Sequence, residues 1–347
     1  MISKMAVLGA GVMGSEIAQT AAAGGVRVVL FDTDPAALER GLAHIASIGS
    51  RRVERGRMTA EEAEAILGRI TTSESADAVG DCELAIEAVP EVMHIKRSVF
   101  AVLDAALPAG AILASNTSGL SITDLAKGTG RPDRVVGLHF FNPASVMKLV
   151  EVIRGETTSE ATLQEAESFA TGLGKVPVRV RECPGFLVNR ILVRAMVEAY
   201  ARAEELQADM AAADAAVVQV GPAPMGAFAL GDLIGLDTMG HIQVDLQRAY
   251  GERFADGGQI ARQVEAGRLG AKSGAGFFDG RAPKGEADDD GLAVARAYYE
   301  GALDEARLCV SEGIAADADA DTAMRFGCGW KQGPLEWDRA GRPAAEA

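Results

Sequence analysis

A doubly wound α/β sheet followed by an all-α region is the fold class this sequence predicts, on three observations. Short apolar runs rich in β-branched residues alternate with helix-like segments through the first half of the chain. The first run ends in a glycine-rich turn that feeds a helix. From Cys183-Pro184-Gly185 onward only helices and turns are legible. Strands buried under helices on both faces read as near-continuous apolar stretches, not as alternating ones.

Residues 5–8 (MAVL) form the first predicted strand and run into GAGVMG at 9–14. A helix follows to about Ala23, closed by Gly24 and Gly25. Val26–Phe31 is the second strand and ends at Asp32. Asp34 before Pro35 is a helix start, a capping side chain followed by proline in the first turn. Thr59 and Glu62 have the spacing of a capping box. Further buried-type strands are predicted at 84–89, 111–115, 135–140, 149–153 and 176–180. The domain boundaries expected are 1–182 for the sheet and 183–283 for a helical domain. A linker and a partial second copy of that helical domain fill 284–347. The repeat rests on DAAVVQVGPAPMGAF and DTAMRFGCGWKQGPL, in which Asp214 precedes Gly226, and Asp321 precedes Gly333, by the same twelve positions. Residues 281–291 (RAPKGEADDDG) read as an exposed linker.

A chain of 347 residues is too long for one small core and suits two or three domains. Its formal net charge of −15 argues against nucleic-acid binding, which needs a basic footprint. The same charge repels anionic substrates, so a phosphorylated ligand requires local cations. No apolar run reaches about eighteen residues, so no membrane span is expected. No secretory signal is read at the start of the chain. The four cysteines show no CxxC pair, which points to reduced thiols and a cytoplasmic location. The four histidines lack metal-ligand spacing, so no metal site is expected.

Gly9, Gly11 and Gly14 have separate physical roles. The first permits a tight turn, the second lets backbone approach a pyrophosphate, and the third lets helix and strand pack closely. With Val12 and Met13 they open a helix whose N-terminus offers N–H groups and positive potential to phosphates. Asp32 ends the second strand, where a carboxylate accepts from both ribose hydroxyls. The following FDTDP has no arginine for a 2′-phosphate, so NAD is expected rather than NADP. The alternative is a tight turn that binds nothing.

Three segments suggest chemistry: SNTSGLSI (115–122), GLHFFNPASVMKLVEVI (137–153) and ECPGFLVNRIL (182–192). His139 is near the end of a predicted strand, where open α/β sheets bind ligands. Histidine in an apolar strand is also a common core residue. Glu151 lies inside LVEVI, where a carboxylate is costly to bury unless paired. An imidazole–carboxylate pair follows, against the plainer alternative of an exposed glutamate on an edge strand. A helical reading puts Asn189 on one face with Phe186, Val193, Val197 and Tyr200. Its buried amide then needs partners, either another helix or a substrate. Asn116 and Ser118 occupy a turn after a strand, as helix caps or as ligand contacts.

The combination SNTS, HFFNP, KLVEV and PGFxxNR resembles the 3-hydroxyacyl-CoA dehydrogenase family, of its short-chain 3-hydroxybutyryl type. The resemblance runs to GRLGAKSGAGFFDG (267–280). It implies a Rossmann-type domain, a helical domain that builds a homodimer, NAD as cofactor and an acyl-CoA substrate, as in fatty-acid β-oxidation. The family's catalytic histidine and glutamate fall on His139 and Glu151, its serine on Ser118 and its asparagine on Asn189. The nicotinamide-side residues fall on Glu91, Lys96 and Asn116, with Asn142 also on the cofactor side and Asp32 on the adenosine ribose.

For the CoA end, RRVERGR (51–57) packs Arg51, Arg52, Arg55 and Arg57 closely. Arg55 aligns with a basic CoA contact of the family, while the family's nearby serine falls on Ile48. The cluster is a candidate dock for the 3′-phospho-ADP, with an ordinary solvated helix face as the alternative. The family's PMGPF reads PMGAF at Pro224–Phe228, and Val220 and Pro222 replace family glycines. The tail, 292–342, resembles the start of a second helical domain that covers or extends a dimer surface. Two other functions stay open. One is a sugar-acid dehydrogenase like gulonate dehydrogenase and lambda-crystallin, and the other a non-catalytic NAD-binding structural protein.

Overall fold

A computed structural model of the chain describes residues 2–341; Met1 and the end of the predicted tail segment, 342–347, lie outside the described residues. It contains two compact units, Met1–Glu182 and Cys183–Ala347.

The first unit comprises β1 (Lys4–Leu8), α1 (Val12–Ala23), β2 (Arg27–Phe31), α2 (Pro35–Glu54), α3 (Ala60–Leu67), β3 (Ile70–Ser73), β4 (Leu84–Glu87), α4 (Met93–Ala106), β5 (Ile112–Ser115), α5 (Ile122–Ala126), β6 (Val135–Phe140), β7 (Leu149–Arg154), α6 (Glu160–Gly172) and β8 (Val176–Arg181). The strands form one sheet in the order β3-β2-β1-β4-β5-β6-β7-β8. All neighbours pair in parallel except β6 and β7. This is a Rossmann-type doubly wound sheet with its direction reversed at β7. Strands β4, β5 and β6 are wholly buried, and β1 is buried from Met5 onward, as their apolar runs require.

Local signals account for the helix starts. Asp34 accepts from the Ala36 N–H at 2.9 Å ahead of Pro35. Thr59 and Glu62 close a capping box, with bonds of 3.2 and 2.8 Å. The sequence reading missed β3. Its residues, ITTS, bury only Ile70 fully, because an edge strand over helices has little surface to hide. A four-residue run with one buried side chain carries almost no periodic signal.

The second unit comprises α7 (Val188–Leu206), α8 (Met210–Val220), α9 (Ala227–Ile234), α10 (Leu236–Tyr250), α11 (Gln259–Glu265), α12 (Asp289–Ser311), α13 (Asp317–Gly327) and α14 (Pro334–Arg339). One expectation needs correction. Phe186 does not share a helical face with Val193, Val197 and Tyr200, because α7 begins only at Val188. Gly185 and Phe186 turn the chain first, at φ of 74° and 52°. Asn189 is half-buried, not enclosed.

The repeat has a structural basis. Asp214 on α8 accepts from the N–H groups of Phe228 and Ala229 at 2.9 and 2.8 Å. Asp321 on α13 accepts from Leu335 and Glu336 at 2.8 and 3.1 Å. Each aspartate thus caps the helix that follows, as anionic groups at helix N-termini do. Gly226 and Gly333 are required because a Cβ at either would lie 2.3 or 2.2 Å from the aspartate's Cα.

Burial pushes the Asp214 carboxyl up to about 7, against the two N–H bonds that favour its charged form. In the unfolded chain an aspartate titrates near 3.9. The folded state therefore holds the proton to higher pH. The stability this contributes is complete below about pH 4 and is lost as pH rises through about 7. Melting temperature should fall by a few degrees between pH 5.5 and 8, a span of roughly 1–2 kcal/mol for a chain this size. In Asp214→Asn that slope should flatten; an unchanged slope in thermal melts would assign it elsewhere.

Candidate active site

The carboxyl ends of β1, β4, β5 and β6 carry most of the residues singled out in the sequence. At the end of β1 the Gly9 N–H donates to the Phe31 carbonyl at 2.8 Å, tying the turn to β2. Gly9 has φ of 102°, and a Cβ there would lie 2.7 Å from the Ala88 carbonyl oxygen. A Cβ at Gly14 would lie 1.8 Å from the Gly9 oxygen, whereas one at Gly11 would meet nothing within 4 Å. The turn is closed on the protein side and open on the other. Val12 is 59% exposed at the start of α1, and no side chain caps that helix. Its N–H groups are thus left to a ligand. Met13 lies half-buried behind it. Asp32 accepts from the Ala10 N–H at 2.8 Å and the Asp34 N–H at 3.0 Å. A carboxylate has about four acceptor positions, so capacity remains for ribose hydroxyls. These residues fit a dinucleotide with an unphosphorylated ribose.

Beside the turn stands a polar cluster at the ends of β4 and β5. Glu87, fully buried, accepts from Lys96 Nζ at 2.7 Å, Ser115 Oγ at 2.6 Å and the Val89 N–H at 2.7 Å. Burial raises its pKa, and Lys96 opposes the rise. Lys96, 1% exposed, also meets Glu91 at 3.1 Å and the Val89 carbonyl at 3.2 Å. Its ammonium is thus held between two carboxylates and a carbonyl. Glu91 is partly exposed and accepts from Thr117 Oγ1 and from the Ser118 N–H at 3.0 Å. Burial works to raise its pKa, but the Lys96 charge and these donors outweigh it and hold the carboxyl low. Ser118 Oγ lies 3.4 Å from the same carboxylate. Asn116 Oδ1 accepts the Phe140 N–H at 2.9 Å, which bolts the end of β5 to the end of β6.

His139 and Glu151 are directly opposed in the antiparallel ladder of β6 and β7. Opposed residues project from the same face. Here His139 Nδ1 and Glu151 Oε2 lie 2.6 Å apart. Glu151 is fully buried, and β8 flanks β7 on its other side, so the edge-strand alternative does not hold. Phe141 packs on the imidazole with ring centroids 4.5 Å apart.

The connection from β6 to β7 carries Asn142, which is exposed. Sequence reasoning missed its anchors. Lys175, 9% exposed, donates to the carbonyls of Ala144 and Met147. Burial lowers its pKa, against the charge of Glu16. Glu16 on α1 pairs with His44 at 3.3 Å and accepts the Ser145 N–H at 3.4 Å. Glu87 had the same signal as Glu151, an acid inside an apolar strand. Lys175 had none, because a lysine before a strand reads as surface.

The arginine cluster stands at the opposite end of α2 from its Asp34 cap. Arg51, Arg55 and Arg57 are exposed around the end of α2, with Arg52 partly covered. Ile48 is 7% exposed and belongs to the core, so it offers a ligand nothing in place of the family's serine. Asn189 lies in the first turn of α7 in the second unit. A cavity of 1010 Å³ opens beside Ser3, Val26, Glu83 and Arg134, at the amino ends of β1, β2, β4 and β6. It is at the opposite end of the sheet from the glycine turn, and Arg134 there is already bonded to Glu165. Among the described residues no helix is long and apolar enough to cross a membrane.

Residues 4–183 match the 3-hydroxyacyl-CoA dehydrogenase NAD-binding domain, and residues 185–280 match the C-terminal domain of the same family. A probable 3-hydroxybutyryl-CoA dehydrogenase of Bacillus subtilis is 42% identical over 80% of this chain and 97% of its own length. The fatty acid oxidation complex subunit alpha of Idiomarina loihiensis is 36% identical over 97% of this chain, which spans 50% of that protein. The crystal structure of 3-hydroxybutyryl-CoA dehydrogenase from Escherichia coli superposes with a TM-score of 0.91 at 30% identity. It covers 98% of this chain and 92% of that one.

Proposed function

Because the chain belongs to the 3-hydroxyacyl-CoA dehydrogenase family, we propose that it oxidises an (S)-3-hydroxyacyl-CoA to the 3-ketoacyl-CoA, reversibly, with NAD. The observation that carries this reading is the buried 2.6 Å pair of His139 and Glu151 at the carboxyl end of β6.

NAD, when bound, accepts the hydride from C3. The open side of Gly11, the start of α1 and Asp32 would hold its pyrophosphate and ribose. The C3 hydroxyl must lose a proton, and His139 is the base placed to take it. Glu151 engages Nδ1, so the exchange falls to Nε2. In that arrangement Glu151 fixes the tautomer and stabilises the imidazolium as it forms, the logic of a base oriented by a carboxylate. In the reducing direction His139 returns the proton. Ser118 is the proposed contact for the 3-oxygen. Asn142 and Asn116 are proposed on the cofactor side. The role of Asn189 on the substrate rests on the resemblance alone. A cytoplasmic setting is proposed on the sequence alone, from four widely spaced cysteines with no CxxC pair. A homodimer through the helical unit is proposed on the resemblance alone.

The test is turnover of acetoacetyl-CoA with NADH beside gulonate with NAD. Activity on the thioester alone is expected. Turnover of gulonate alone would assign the pair to a sugar acid, and no turnover of either would leave a binding protein. For the CoA end, Arg55→Glu should raise KM for acetoacetyl-CoA on the order of tenfold with kcat unchanged, the loss of one charged contact of about 1.4 kcal/mol. An unchanged KM would reduce the arginine cluster to a solvated helix end.

A further inference from the structure

Residues 141–148 join the strand that carries His139 to the strand that carries Glu151, and Asn142 is among them. The connection makes one turn of its own, in which the N–H groups of Val146 and Met147 both donate to the Pro143 carbonyl at 2.9 Å. A single helical turn is not stable by itself. Two charged side chains from other elements hold this one.

Lys175, directly ahead of β8, donates to the carbonyls of Ala144 and Met147. Its ammonium thus caps carbonyls of the turn, where positive charge is favoured. Glu16 of α1 accepts the Ser145 N–H at 3.4 Å, and its second oxygen meets His44 of α2 at 3.3 Å. Lys175 is 9% exposed and Glu16 5%. Burying a charge costs stability, and an apolar residue at either position would not incur that cost. What the two charges secure is the main chain that follows Asn142. Glu16 also stands two positions beyond Gly14, in the helix whose N-terminus is proposed to hold the pyrophosphate. One side chain therefore ties that helix to the connection bearing Asn142.

We infer that Lys175 and Glu16 are positioning residues, which clamp 141–148 between β8 and α1 and so hold Asn142 to the cofactor. The inference rests on the proposed NAD-dependent reaction, and cofactor binding tests it apart from turnover. Lys175→Met keeps an unbranched apolar stem and removes both bonds to the turn. It should lower kcat for acetoacetyl-CoA reduction by about ten- to a hundredfold, the scale of a displaced reacting geometry, with KM for acetoacetyl-CoA little changed. Kd for NADH should rise by about tenfold, because binding must then order the connection. A lysine that only supports the fold would lower the melting temperature and leave kcat and Kd at parental values, and that result in the folded variant overturns the inference. Glu16→Ala should show the same pattern at smaller amplitude. Glu16→Gln, which keeps an acceptor for the Ser145 N–H, should recover most of that loss. Equal losses in the two Glu16 variants, or none in Glu16→Ala, overturn the clamp at α1, and this pair decides the whole inference where Lys175→Met does not fold. Calorimetric titration of NADH needs no turnover. A parent that reduces no acetoacetyl-CoA, beside a Lys175→Met that binds NADH more weakly, would keep the clamp and remove the proposed reaction.

Discussion

His139→Gln should reduce kcat for acetoacetyl-CoA reduction by roughly 10²–10⁴-fold, the range expected when a general acid–base group is lost. The amide retains polarity and much of the volume, so Glu151 still meets a donor and the sheet should stay intact. NADH affinity and melting temperature should therefore be near those of the parent. That combination separates chemistry from packing. Loss of a merely structural histidine would show in the melting temperature first. Retention of more than about a tenth of the parent kcat would remove His139 from the proton transfer and, with it, the proposed mechanism.

The second large effect comes from the glycine turn, where two substitutions of equal size should behave oppositely. Gly14→Ala sets a methyl group 1.8 Å from a backbone oxygen. Main chain cannot step aside as a flexible side chain can. The destabilisation should reach the upper end of the roughly 1–3 kcal/mol typical of overpacking, and NAD binding should fail with it. Gly11→Ala meets nothing within 4 Å, and its φ of −69° is open to any residue. It should fold and melt like the parent. Its methyl would nevertheless occupy the open side of the turn, so NAD affinity should fall by about tenfold or more, a change of about 1.4 kcal/mol. Calorimetric titration beside thermal melts reads both. Normal NAD affinity in Gly11→Ala would place the pyrophosphate elsewhere.

What was legible in the sequence divides along physical lines. Glycine spacing, helix caps and an acid inside LVEVI each state a local requirement, and each was read correctly from neighbours alone. The edge strand Ile70–Ser73 states none, since one buried side chain is compatible with a loop. The start of α7 was misread because helical periodicity continues backward through Phe186, while the Gly185 turn that breaks it depends on backbone angles. Lys96 illustrates the limit at the site. The resemblance put it near the nicotinamide, and the fold binds its charge to Glu87 and Glu91. No pattern in one sequence says which acids a lysine will meet across a sheet. The paired aspartate caps were the reverse case. Identical spacing in two places discloses the duplication without reference to packing.

The opposed placement of His139 and Glu151 across two antiparallel strands has a consequence for how such a site tolerates change. Their separation is inherited from main-chain hydrogen bonds. Side-chain period in a strand is two, so a slip of one residue between β6 and β7 would carry the glutamate to the other face of the sheet. Insertions or deletions in 141–148 are therefore permissible only where the ladder's alignment survives them. The spacing of the proposed acid–base pair is thus set by main-chain bonds rather than by the two side chains themselves.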